Sequence, residues 1–313
     1  MKYLPFLNGK YSVAPALLSV NKMDSAADKN IFNIDESYLE YFANKEACRD
    51  DIYKYYVEKN LYPETVIRAN QLIVQQLTKE YPAYFQLRQE NNDYTLINKL
   101  LHCRLHWKED WIQIESDTYL SLFDALVCQV QEDFAICQLQ SDKDWIAAIH
   151  ICSPNHWEPA KKAGLPFDAI HGIVPGMEKG LPHYFKMLQS VVNKGPFTRF
   201  AWGIATDNIL NHYPVPAAGD DPQVRNGRNI QEGCELYVRV EKQTLVGLPE
   251  NIAFFFTIRT YFYNIDDLQQ YEKVALMNAV DSMSAESLAY KGLAGKVEVL
   301  KDLIDKSFKN KMQ

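Results

Sequence analysis

Two clusters in this 313-residue chain hold residue types at spacings suited to chemistry. The first runs Cys152-Ser153-Pro154-Asn155-His156-Trp157-Glu158-Pro159 and resumes at Ile170-His171-Gly172-Ile173-Val174-Pro175-Gly176. An imidazole among apolar residues can ligate a metal ion or haem iron through one ring nitrogen while the other is hydrogen-bonded. His171, set before a Val-Pro-Gly turn, fits that description, but the residues alone favour a core histidine satisfied by its neighbours. His150, His156 and His183 carry the same two readings; His150 lies in a strand pattern, where burial without function is expected. The second cluster is a pair of alternating segments. Leu236, Val238 and Val240 alternate with Tyr237, Arg239, Glu241 and Gln243, while Ala253, Phe255, Thr257, Arg259 and Tyr261 share one face of the second segment. A turn centred on Pro249 sets Arg239 roughly opposite Arg259. Like charges opposed across a sheet repel. Either an anion such as a carboxylate or phosphate lies between them, or Glu241 bridges them.

Other constellations carry less. His102 and His106, four apart, would share a helix face, but no further ligand is spaced nearby to complete a metal site. The six cysteines, Cys48, Cys103, Cys128, Cys137, Cys152 and Cys234, contain no C-x-x-C pair and read as buried reduced thiols. Dinucleotide, Walker and nucleophile-elbow signatures are absent.

The elements that position these residues follow from periodicity. Val66, Ile67, Leu72, Ile73, Val74 and Leu77 recur at helical spacing after Pro63, and the helix ends near Tyr81-Pro82. A second helix is expected from Asp117 to Val130, so the first 130 residues read mostly as helix. Segments 134–139 and 145–151 flank Ser141-Asp142-Lys143 as a hairpin. A short helix follows, with Pro159 at its first position and Gly164 at its C-terminal cap. A longer helix from Met177 to Val192 is broken by Gly195-Pro196, and Phe197 to Ala205 forms a third strand. Glu235 to Leu245 and Ile252 to Tyr263 make a second hairpin around Leu248-Pro249-Glu250-Asn251. Helices return at Asp266 to Val280, Ser284 to Tyr290 and Gly295 to Phe308. The class is α+β, with five antiparallel strands between helical ends. Residues 214–233 form a long polar connection, either a functional lid or a plain surface loop.

With 33 basic and 40 acidic residues the net charge is −7, which disfavours a nucleic-acid partner. No apolar run approaches the roughly 18 residues of a membrane span, and Met1-Lys2-Tyr3-Leu4-Pro5-Phe6 lacks the pattern of a secretory signal. A cytoplasmic protein without a membrane partner is expected.

Several blocks carry a family resemblance. They are Gln131-Glu132-Asp133, Pro154 to Pro159 with Lys162 and Gly164, Ile170 to Gly176, Arg239 to Leu245, Leu248-Pro249, Phe256 to Tyr261 and Tyr290-Lys291-Gly292. In this order, over about residues 130 to 292, they resemble the haem-dependent oxidative N-demethylase alpha-subunit family. The resemblance implies one 1–313 domain: a PAS-like five-stranded antiparallel sheet binding b-type haem, with helical extensions at 1–130 and 264–313. It implies removal of a methyl group from a small secondary amine such as dimethylamine, using oxygen and, because no nicotinamide or flavin fingerprint is present, a separate reductase protein. His171 matches the family's histidine and is taken as the iron ligand. Arg239 and Arg259 match basic positions, are paired by inference with the haem propionates, and Trp202 is placed with them at the cofactor. Three positions depart from the family pattern: Lys242 where arginine is commoner, Gly247 where a basic residue is common, and Ala201 where asparagine commonly precedes the tryptophan. A non-catalytic haem sensor or carrier on the same fold, and a member without haem, remain alternatives.

Overall fold

The computed structural model describes residues 2–178, 180–214 and 230–310, so most of the polar connection 214–233 lies outside the described residues. In chain order the strands are β1 (Leu18–Ser19), β2 (Tyr56–Glu58), β3 (Phe85–Glu90), β4 (Asp93–Asn98), β5 (Cys103–Lys108), β6 (Asp133–Gln140), β7 (Lys143–His150), β8 (Phe197–Ala205), β9 (Tyr237–Leu248) and β10 (Ala253–Asn264). The helices are α1 (Tyr38–Ala47), α2 (Pro63–Glu80), α3 (Leu122–Val127), α4 (Phe167–His171), α5 (Tyr184–Lys194), α6 (Gln270–Asp281), α7 (Ala285–Tyr290) and α8 (Val297–Asn310).

The α+β class stands, with a larger sheet than expected. The five strands read from alternation are contiguous as β8-β9-β10-β6-β7, and β1 and β2 add to the two edges to make seven. Two- and three-residue strands are too short for alternation to register. Residues 85–108, within the stretch read mostly as helix, form a separate three-stranded sheet, β3-β4-β5. His102 sits in its last turn with φ 51°, and His106 lies on β5 with its Nδ1 2.9 Å from the Thr95 hydroxyl. The pair therefore shares no helix face.

The helix expected from 117 to 130 contracts to α3. Ser121 caps it, accepting the Asp124 N–H at 3.1 Å. Just upstream the Leu120 N–H is taken by the Asp124 carboxylate, so the helix cannot extend backwards. The helix expected from Met177 becomes α5, preceded by a 3-10 turn at Leu181–His183. Gly247 explains how closely α5 approaches β9: a Cβ there would lie 2.1 Å from the Val192 carbonyl oxygen. No side chain fits, which accounts for glycine at that position.

The β9–β10 register corrects the opposed-arginine expectation. A 3-10 turn at Pro249–Asn251 and a left-handed Ile252 pair Leu248 with Ala253. Arg259 then faces Lys242, and Arg239 faces Phe262. The expected pairing is out by three residues, an odd number, so the two arginines project from opposite faces of the sheet.

Those two faces divide the molecule. On one, Phe134, Ile136, Val246 and Phe255 pack with α2 and α3, and farther along Val238 and Val240 pack with α6 and α8. On the other, Cys137, Leu245 and Phe254 meet Leu188, Val191 and Val192 of α5, and the rest of that face borders a cavity. All six cysteines are free, and Cys48, Cys128, Cys137 and Cys152 are buried. Among the described residues no helix is long and apolar enough to cross a membrane.

Candidate functional site

The cavity measures about 620 Å³, inside the range of roughly 300–1,000 Å³ usual for small-molecule and cofactor sites. Its floor is apolar sheet: Ala135, Cys137, Leu245, Phe254, Phe256 and Ile258. Opposite lie α4, the start of the turn after it, part of α5 and the segment 11–17. Val13 of that segment packs on Gly176, whose φ of +88° closes the Val-Pro-Gly turn.

His171, the last residue of α4, lines this cavity. Its Nδ1 donates to the Phe167 carbonyl at 2.9 Å, and its ring stacks on that of Phe167 at 4.0 Å. Burial pulls its pKa down to about 4. The ring is therefore neutral at ordinary pH, with the proton on Nδ1 and the lone pair on Nε2. That is the tautomer a metal-binding imidazole needs.

Of the other histidines, only His156 also borders the cavity, with φ 60° and its ring stacked on His212 at 4.7 Å. His183 is exposed just before α5. His150 is fully buried on the opposite sheet face, its Nε2 2.8 Å from the Asp124 carboxylate. Asp124, Cys128 and His150 place three potential ligand atoms within 4.8 Å of one another. A cation already occupies that cluster: Arg49 donates to both Asp124 oxygens, at 3.2 and 3.1 Å, and lies 3.9 Å from the Cys128 sulfur. Burial pushes the Cys128 thiol up to about 12, so it stays protonated.

Along β9 the residues Arg239, Glu241, Gln243 and Leu245 face the cavity, and Arg199, Ala201 and Gly203 of β8 stand opposite them. Arg239 is 2% exposed and donates to Glu241, to the Ser153 carbonyl at 2.8 Å and to Thr260 Oγ1 at 3.2 Å; its Nε has no partner. Burial raises the Glu241 pKa, but the Arg239 charge and a hydrogen bond from Gln243 outweigh it and hold the carboxyl below its usual range. Lys162 and Lys291 also border the cavity. Among the described residues the lining thus carries Lys162, Arg199, Arg239 and Lys291 against one carboxylate, Glu241.

Of the other residues expected at the site, one stands elsewhere and one lines the cavity while packing on other aromatic rings. Arg259, 1% exposed, lies on the far face, where it donates to both Asp35 oxygens at 3.1 and 2.9 Å and stacks over Tyr41 at 3.7 Å. Its charge is satisfied there, away from the cavity. Trp202 borders the cavity, but its indole packs on Phe6 at 5.3 Å and Tyr11 at 6.0 Å. Lys242 likewise points away, donating to Asn33 at 2.8 Å. Arg199 is the residue that sequence reasoning passed over. Its signal was the alternation Phe197, Arg199, Ala201, Gly203, which puts one cation among small residues on a single strand face.

His171, Arg239 and Trp202 are therefore brought to one cavity, and Arg259 is not. The stretch that holds β2 to β10, the neutral histidine and the cationic wall matches, over residues 21–301, the family model described as haem-dependent oxidative N-demethylase, alpha subunit-like, and the chain belongs to that family.

Proposed function

We propose that this chain binds one b-type haem in the 620 Å³ cavity and removes a methyl group oxidatively from a small secondary amine. The observation that carries the reading is His171, held neutral at the cavity wall with Nδ1 committed to the Phe167 carbonyl. His171 would hold the iron of that haem through Nε2, the nitrogen left free by the Phe167 hydrogen bond.

The lining fits the group. An apolar floor suits a flat macrocycle, and a wall with an excess of cations suits its two acidic side chains. Arg239 and Arg199 each present a buried Nε without a partner. When bound, the haem would supply oxygen activation and redox chemistry, which no side chain here can supply. The chain's own residues do the rest. His171 anchors, the Phe167 ring fixes the imidazole plane, and the strand floor excludes water. Glu241, pinned by Arg239 and Gln243, stays ionised and shapes the charge of the wall.

We read the five central strands as a PAS-like core and the whole chain as one domain extended by helices at both ends. The family description, an alpha subunit, fits a protein that works with other polypeptides. Electrons would come from a separate reductase. A non-catalytic haem sensor or carrier is the second reading, and the fixed Glu241 favours it, because among the described residues the lining holds no other carboxylate to relay protons.

The test is a haemin titration of wild type and His171→Ala, followed by turnover. Wild type should give a Soret shift that the variant loses. The loaded chain should form no formaldehyde from dimethylamine with NADPH alone, and should form it once a reductase or chemical reductant is added. No Soret shift in wild type removes the haem reading. Normal carbon monoxide binding without formaldehyde from any small methylated amine moves the function to sensor or carrier.

A further inference from the structure

We propose that Arg199 is the carboxylate receptor of the cavity. It lies on the cavity face of β8, directly across from Gln243. It is half-buried, and its Nε is sealed from solvent without a partner. Among the described residues its side chain makes no hydrogen bond and no ion pair. The other withdrawn arginines contrast with it: Arg49 is paired with Asp124, Arg239 with Glu241 and Arg259 with Asp35.

A guanidinium withdrawn from water without a hydrogen-bonded partner is costly, and the Glu241 charge on the facing strand offsets only part of that cost: burial still holds the Arg199 pKa below its ordinary value. The nearest carboxylate along the facing strand is Glu241, and its oxygens already accept from Arg239 and Gln243. The missing partner must therefore come from whatever fills the cavity. A guanidinium offers two parallel donors, the geometry that a carboxylate accepts in bidentate fashion. The neighbours Ala201 and Gly203 are small, which leaves room beside the fork for an acid group.

Two sources share this chemistry: an acidic side chain of the cofactor and the carboxylate of an amine substrate. The inference rests on the haem reading above, and the experiment separates the two. Wild type, Arg199→Gln and Arg199→Lys are titrated with haemin and with haemin dimethyl ester, in which both acid groups are masked. The loaded proteins are then titrated with N-methylglycine and with dimethylamine, following the Soret band. Thermal melts of the unloaded variants show that they fold.

If Arg199 receives the cofactor, R199Q weakens haemin binding roughly ten- to hundredfold. Binding of the ester is then the same in wild type and R199Q, and R199K lies between. If it receives the substrate, haemin affinity is unchanged and the response to N-methylglycine is lost in R199Q while that to dimethylamine persists. Equal haemin affinity together with an equal N-methylglycine response overturns the assignment. A wild-type chain that takes up no haemin is a different result: it removes the haem reading and this inference with it.

Discussion

His171 is tied twice to Phe167, through a 2.9 Å hydrogen bond to its carbonyl and through a ring stack at 4.0 Å. The first tie sets the tautomer and the second sets the ring plane. Both come from one helical turn, so the anchor is local and needs no distant residue to orient it.

Substituting Phe167 by Leu keeps the carbonyl and removes the stack. Aromatic pairs of this kind contribute about 0.5–1.5 kcal/mol, so haemin affinity should fall roughly two- to tenfold. The Soret maximum should not move, because the ligand is still histidine. A shifted maximum in F167L would mean that the ring, not the helix, selects the ligand.

Arg259 should prove structural. Arg259→Ala strands Asp35 and empties the space over Tyr41. Breaking a buried pair costs roughly 3–5 kcal/mol, and the Asp35 side chain is 31% exposed, so about 3 kcal/mol is expected in urea unfolding. Haemin affinity of the folded fraction should match wild type. A selective loss of haemin affinity at full stability would put Arg259 back at the cofactor.

The buried Arg49–Asp124–His150 network predicts an acid limb. Burial raises the Asp124 pKa, but hydrogen bonds from His150 and Arg49 overcome it and hold the carboxyl down to about 2. A carboxyl depressed on folding contributes stability above its unfolded pKa of about 3.9, and that stability is lost as pH falls through the folded value. Asp124→Asn should therefore be less stable than wild type at pH 6. The gap should narrow by roughly 2–3 kcal/mol between pH 5 and pH 2. Urea midpoints at each pH measure it, and a constant gap would contradict the network.

Gly247→Ala should loosen the α5–β9 contact. Its Cβ would meet the Val192 carbonyl oxygen at 2.1 Å and that of Val191 at 2.8 Å, both backbone atoms that cannot rotate away. Overpacking of this kind costs about 1–3 kcal/mol. Thermal denaturation should show a lowered midpoint, and a neutral effect would mean that α5 is free to slide.

The long strands were legible because alternation survives over eight or more residues: β8 runs Phe197–Ala205, as expected. The β3–β4–β5 sheet was not, since its exposed face carries Arg88, Arg104 and His106, which obscure the apolar side. His102 and His106 misled for a simpler reason. The i, i+4 spacing suggests a helix face, but His102 falls in the left-handed turn before β5 and only His106 lies on the strand. At the site, His171 was visible from its apolar setting and its motif. The arginine pair was not, because the left-handed Ile252 after the turn sets the register, and a three-residue displacement changes which face a side chain serves. Arg199 needed the neighbouring strand before its lack of a partner could be seen.

The cavity wall at residues 11–17 leads into β1, whose Leu18 and Ser19 pair with Thr198 and Phe197. Tyr290 and Lys291 close the same cavity from α7 and the residue after it. A ribosome releases these parts far apart in time. The early wall has no strand to lean on until β8 emerges, and the enclosure lacks its last side until residue 291 is free. On the haem reading proposed above, the seat for the cofactor is complete only once residue 291 has emerged.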